Sequence, residues 1–142
     1  MKTTSNQFVL YGLGNYKATV DKIIAELGIP NNTDNGYDLK LILTETLTNA
    51  FVHGNKSCVD KPIYLRYYYN GINVRFEIED SGNGFDSVVI PKCITDENLL
   101  DECGRGLLLI NLVANKVEFR KNTIIIEKEI TRSDNNELQW RI

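Results

Sequence analysis

Histidine is nearly absent from this chain of 142 residues, with His53 the single one. Multi-histidine zinc sites, a histidine-rich metal tract and a phospho-relay with separate acceptor and accessory histidines therefore lack their raw material. A basic excess is missing as well. With 16 Lys and Arg against 19 Asp and Glu, the net charge is −3, which argues against a nucleic-acid footprint and against a polybasic membrane anchor. Cys58, Cys93 and Cys103 are odd in number and show no C-x-x-C spacing, and the chain opens Met-Lys-Thr-Thr-Ser without an apolar signal stretch. Three free thiols in a reducing cytosol are expected. The longest apolar stretch, Leu107 to Ile110 with its flanks, is far below the roughly 20 residues that cross a bilayer. What is present is enough for one full core, since a chain of this size buries roughly two-thirds of the surface that its unfolded form exposes. The expected organisation is a single domain over residues 1–130 followed by a polar tail over 131–142.

Within that domain the periodicity changes several times. Phe8-Val9-Leu10-Tyr11 reads as an edge strand, and Val20, Ile23, Ile24 and Leu27 then recur at helical spacing until Gly28 and Pro30 stop the helix. A polar turn is expected over Asn31 to Gly36. From Tyr37 to His53 the pattern predicts a long helix with Leu39, Ile42, Leu43, Thr46 and Ala50 on one stripe and Gly54 as its C-terminal cap. Two alternating runs, Ile63 to Tyr69 and Ile72 to Glu79, are joined by Asn70-Gly71, a strong hairpin signal. Ile72, Val74, Phe76 and Ile78 share one face, so one side of the sheet is covered and the other wet. Periodicity is lost between Asp80 and Cys103, a length that inside a compact domain marks a functional or mobile loop. Gly104 to Asn115 predicts a Gly-entered apolar helix, followed by a strand at Lys116 to Arg120, a turn at Lys121-Asn122, and a β-branched strand from Thr123 to Ile130. The fold class is α+β, built as one pair of layers.

Four places carry chemistry. Glu45, Asn49 and His53 follow each other at i, i+4 steps, each about 40° around the helix from the last. This polar stripe borders the apolar face, away from a solvated Lys40, Thr44 and Thr48. Its bland reading is an exposed helix flank. Its chemical reading is a proton acceptor beside an amide oxygen suited to Mg²⁺, an ion that takes few protein ligands and completes its shell with waters and phosphates. The second place, Asp80-Ser81-Gly82-Asn83-Gly84, is either a capped turn or a cradle for a flat ligand. Glycines let the backbone approach such a ligand, and a carboxylate fixed at a strand end accepts from an exocyclic adenine amine. Third, Gly104-Arg105-Gly106 opens an apolar helix, where free N–H groups and an Arg suit an anion. Its plain alternative is a loop end with a solvated Arg. Fourth, Thr123 is either a β-former after a turn or a hydroxyl acting with Asp80 on a base edge.

In this order the pieces resemble the ATP-binding fold of the GHKL superfamily, which groups gyrase, histidine kinases and MutL. The first box of that superfamily is similar to Glu45-Thr46-Leu47-Thr48-Asn49-Ala50-Phe51-Val52-His53-Gly54, and the two glycine boxes are similar to Asp80-Ser81-Gly82-Asn83-Gly84-Phe85 and Gly104-Arg105-Gly106-Leu107-Leu108-Leu109-Ile110. The resemblance implies a two-layer α/β sandwich of the Bergerat type, with a mixed, mostly antiparallel sheet covered on one face by about three helices. Within the superfamily the chain resembles the bacterial anti-sigma-factor serine/threonine kinases. That implies ATP and Mg²⁺ as cofactors, a sigma factor held as one partner, and a STAS-type anti-anti-sigma protein phosphorylated as the other. It also implies a homodimer through the N-terminal strand, and neither direct nucleic-acid contact nor a membrane.

Carried over by residue, the resemblance makes Glu45 the general base and Asn49 the Mg²⁺ ligand. Asp80 reads adenine, Gly82 and Gly84 admit the base, and Gly104 and Gly106 wrap the phosphates with Leu107 in the same box. Arg105 lies over the γ-phosphate or meets the partner, Thr123 joins Asp80 at the base, and His53 is structural near the helix end. Two departures stand out: the stretch from Phe85 to Cys103 lacks the Phe- and Thr-rich lid of many relatives, and Asn122 replaces the usual Gly before the final strand. Asn tolerates the left-handed conformation, so the turn is expected to survive. The competing reading is a binding module in which ATP orders the lid and the domain sequesters a partner without phosphotransfer. A third, the catalytic domain of a histidine kinase, needs an acceptor histidine and a dimerising hairpin on another polypeptide.

Overall fold

Alternating strands and striped helices assemble into two layers in the computed structural model, which describes residues 3–82 and 102–130. β1 (Thr4–Tyr11) is followed by α1 (Tyr16–Glu26), α2 (Asp34–Asn49), a π-helical turn (Ala50–Gly54), β2 (Pro62–Tyr69), β3 (Asn73–Glu79), α3 (Glu102–Val113), β4 (Lys116–Arg120) and β5 (Thr123–Glu129). The sheet order is β1-β2-β3-β5-β4, and every pairing is antiparallel. The layers and the three helices agree with the expected α+β sandwich. No parallel pair occurs among the described strands.

Register explains why one sheet face is dry. Phe8 pairs with Leu65, Leu65 with Ile78, and Ile78 with Ile124, so these side chains stand in one row on the pleat and point to the helices. Val74, Phe76, Ile78, Ile124 and Ile126 form a core with Val20, Ile23 and Ile24 of α1, Leu39, Ile42, Leu43 and Leu47 of α2, and Leu107 and Ile110 of α3. The opposite face carries Arg66, which donates to Glu77 at 3.0 Å and to Glu79 at 3.1 Å. Arg75 pairs with Glu77 on the same face. Leu43 is fully buried, and Leu43→Ala is expected to cost about 2–5 kcal/mol of stability by leaving a cavity. A urea melt with unchanged slope checks that value.

Several local expectations shift. α2 begins at Asp34 rather than Tyr37, because Thr33 caps it by accepting from the Gly36 N–H at 3.2 Å. The polar turn is shorter accordingly. In the hairpin, Tyr69 pairs with Val74, and the two loop residues are Gly71 and Ile72, with Gly71 taking φ 92°. Asn70 sits one step earlier, and its side chain accepts from the N–H groups of Ile72 and Asn73 at 2.9 and 2.7 Å. Ile72 is therefore exposed and does not share the core face of Val74. Lys40, Thr44 and Thr48 are half-buried rather than solvated, since α1 and α3 flank the outer side of α2. Lys40 and Thr44 line a groove with Tyr16, Lys17, Val20 and Asp21 of α1.

Candidate functional site

α2 does not stop at a glycine cap. Its last turn widens to i→i+5 hydrogen bonding, with the Asn55 N–H donating to the Ala50 carbonyl at 2.8 Å, a geometry often found at functional sites. Gly54 ends this turn without a positive φ. The left-handed residues come after it, at Lys56 and Ser57. The reason for glycine at 54 is space: a Cβ there would lie 2.1 Å from Asp80 Oδ2.

Asp80 follows the last residue of β3 and is 5% exposed. Its carboxylate accepts from the Gly82 N–H at 2.7 Å. A Cβ on Gly82 would meet the Gly54 carbonyl at 2.6 Å, so the end of the first box and the start of the first glycine box are packed backbone to backbone. Burial pushes the Asp80 carboxyl above the usual carboxylate range, the neighbouring Glu79 charge adds to that rise, and the Gly82 N–H opposes it. The consequence for stability has a definite sign. An acid whose folded pKa is raised disfavours the charged folded state, so ionised Asp80 costs stability above that pKa. The cost disappears as pH falls below the unfolded value. Asp80→Asn is therefore expected to melt higher than the wild type at neutral pH, with the gap closing toward acid. Melting temperatures across pH check this.

The second glycine box reaches the same helix from the other side. Gly106 of α3 is buried against α2, and a Cβ on it would stand 2.6 Å from Glu45 Oε2 and 3.6 Å from Asn49 Nδ2. Around this contact lies a cavity of about 280 Å³ lined by Glu45, Thr48, Asn49, Val52, His53, Gly106 and Leu109. The Asn49 amide nitrogen is buried without a hydrogen-bond partner. Such an orphan is costly, and the amide turned end for end offers its oxygen to a cation instead.

The structure thus brings Glu45, Asn49 and Gly106 to one cavity, and Asp80, Gly82 and Gly54 to a neighbouring cradle. Thr123 pairs with Glu79 across β3 and β5, one residue from Asp80. The Gly104-Arg105-Gly106 box lies inside the first turns of α3 rather than ahead of it. Gly104 and Arg105 still fall among the first four residues, whose N–H groups have no partner within the helix. The Leu107 side chain is buried in the core, because on α3 the face toward the cavity runs from Gly106 to Leu109. His53 is exposed on the cavity rim near the end of the helix. Gly84, the lid from Phe85 and the tail with Trp140 lie outside the described residues, as does the Arg105 side chain.

Sequence reasoning missed Thr48, Val52 and Leu109 in the cavity wall, and Asn55 and Asn122 at the cradle. The Asn122 side chain donates to the Asp80 carbonyl at 2.5 Å. It does not take the left-handed conformation, which falls on Lys121 at φ 54°. Asn55 is fully buried, accepts from the Ser81 N–H at 2.7 Å, and donates to the Lys61 and Pro62 carbonyls at 3.0 and 3.2 Å. Among the described residues, no three His, Cys, Asp or Glu side chains are grouped to hold a metal, and no helix is long and apolar enough to cross a membrane.

Residues 16–128 match the family described as histidine kinase-like ATPase domain. The chain is also similar to the anti-sigma F factor of Anoxybacillus flavithermus, with 23% identity over 124 residues that span 82% of this chain and 84% of that protein.

Proposed function

The chain belongs to the histidine kinase-like ATPase domain family, and from that footing we propose that it is an ATP-dependent anti-sigma kinase. In this reading it holds a sigma factor and phosphorylates a serine or threonine of a STAS-type anti-anti-sigma partner, as a homodimer in the cytoplasm. The single observation that carries it is the meeting of Glu45, Asn49 and Gly106 in one cavity. The similarity to an anti-sigma F factor supports the choice of partners.

Phosphoryl transfer asks little covalent chemistry of a protein and much positioning. Glu45 accepts the proton of the attacking hydroxyl, for which a half-exposed carboxylate at a cavity wall is suited. Gly106 has no side chain, so the phosphates can pass close to α3, and the N–H groups of its first turn, which have no partner within the helix and include those of Gly104 and Arg105, bind them. The Arg105 guanidinium adds charge toward the γ-phosphate or the partner. Asp80 accepts from the adenine amine, Thr123 joins it at the base edge, and Gly82 and Gly84 leave room for the ring. Asn49 would hold Mg²⁺, consistent with its orphaned amide. When bound, that ion offsets phosphate charge during transfer.

The test is to incubate the purified protein with Mg-ATP and each STAS protein of its host and to look for phosphoserine or phosphothreonine. ATP is also expected to raise the melting temperature. If no partner is modified and ATP gives no stabilisation, the proposal is lost. Stabilisation without transfer to any partner would support the binding-module reading instead.

A further inference from the structure

The Asp80–Ser81 peptide is held by two asparagines from opposite sides, Asn122 at the Asp80 carbonyl and Asn55 at the Ser81 N–H. If Asp80 and Asn122 continued the β3–β5 ladder, they would exchange two main-chain hydrogen bonds. Only one is present, from the Asp80 N–H to the Asn122 carbonyl at 3.0 Å. The second is supplied by the Asn122 side chain, whose amide donates to the Asp80 carbonyl at 2.5 Å. A glycine at 122 has no side-chain amide to make it. On the other side Asn55 grips the Ser81 N–H at 2.7 Å while anchored to the start of β2. The peptide on each side of Asp80 is thereby fixed, and the Gly82 N–H then sets the direction of its carboxylate.

We propose that Asn122 is a specificity-determining positioning residue that aims the Asp80 carboxylate at the exocyclic amine of adenine, with Asn55 as its counterpart across the loop. This inference rests on the reading that Asp80 recognises adenine. A carboxylate selects an amine by direction as well as distance, and a carboxylate on a loose strand end would sweep over several directions. With its main chain tied at the carbonyl and at the next N–H, Asp80 retains only side-chain freedom, and a 2.7 Å bond to Gly82 restricts that. Without the Asn122 amide, the Asp80 carbonyl loses a partner and the loop end rotates about the remaining bond. The loss is in discrimination among bases rather than in the phosphate contacts, which lie at α2 and α3.

The measurement is the ratio of dissociation constants for ATP and purine riboside triphosphate, which lacks only the amine, by calorimetry on the full chain. The wild type is expected to prefer ATP by about tenfold or more, the size of one hydrogen bond to a charged group. Asp80→Asn removes that preference. Asn122→Gly is expected to remove most of it while binding purine riboside triphosphate as the wild type does, and Asn122→Asp, which keeps the shape but loses the donor, is expected to match it. A purely structural role would weaken both nucleotides equally and leave the ratio unchanged, and that result overturns the proposal. If the wild type shows no preference, the assignment of Asp80 to adenine fails and this inference falls with it. If Asp80→Asn abolishes the preference but both Asn122 variants keep it, the assignment stands and only the role of Asn122 is refuted.

Discussion

Glu45→Ala is expected to lower phosphotransfer to the partner by about a hundredfold or more, within the range that a positioned general base contributes. ATP should still raise the melting temperature of the variant. The two readouts separate because, in the proposed site, Glu45 stands at the transfer end and not at the base cradle. Its Oε2 faces the Cα of Gly106, whereas Asp80 is packed against Gly54 and Gly82 on the far side of the π-helical turn. Removing the carboxylate also removes negative charge from the wall of the cavity proposed to take the phosphates, so nucleotide affinity is expected to stay level or rise slightly. Phosphopeptide formation and ATP-induced thermal shifts, measured on the same preparation, check both halves. Transfer at the wild-type rate would remove Glu45 from the mechanism.

Gly54→Ala comes second, with an expected loss of nucleotide affinity of about a hundredfold or more. Gly54 does not have a left-handed φ, so on backbone grounds alone alanine would stabilise the fold by about 0.4–1 kcal/mol through the unfolded chain. Space reverses the sign. The new methyl would sit 2.1 Å from Asp80 Oδ2 and 2.2 Å from Cγ, well inside van der Waals contact, so the carboxylate must leave its cradle. Asp80 is a side-chain end and can move, so the expected cost to folding is modest, about 1–3 kcal/mol. The expected cost to function is larger because the group proposed to read the base is the one displaced. Calorimetry with ATP, alongside a urea melt, distinguishes the two losses. Wild-type affinity in Gly54→Ala would mean that Asp80 is not the base-reading group.

The two variants fail in opposite ways, which reflects how the site is divided. Glu45 and Asn49 lie four residues apart on α2, so their common face follows from helix geometry alone and was legible at once. The strand and helix periods were equally legible: Val20, Ile23 and Ile24, and Val74, Phe76 and Ile78, are buried where their spacing predicts. The hairpin was legible in kind but displaced by one residue, because the Asn70 side chain rather than its backbone conformation makes the turn. The role of Gly54 was misread. A glycine after a helix suggests a cap, and only the packing of Asp80 shows that the missing atom is what matters.

By itself, then, the sequence determined the elements, the covered face of the sheet and the order of the three motif boxes. Each of these depends on neighbours within a few residues, where the helical and strand periods dictate which side chains meet. The tertiary structure alone decided the strand order β1-β2-β3-β5-β4, the half-burial of Thr48 against the cavity, and the grip of Asn55 and Asn122 on the Asp80 loop. Asn122 meets Asp80 across 42 residues of chain and Asn55 meets Ser81 across 26. An amide at a turn looks the same in sequence whether it faces water or a distant carbonyl, and burial on folding is what selects between the two.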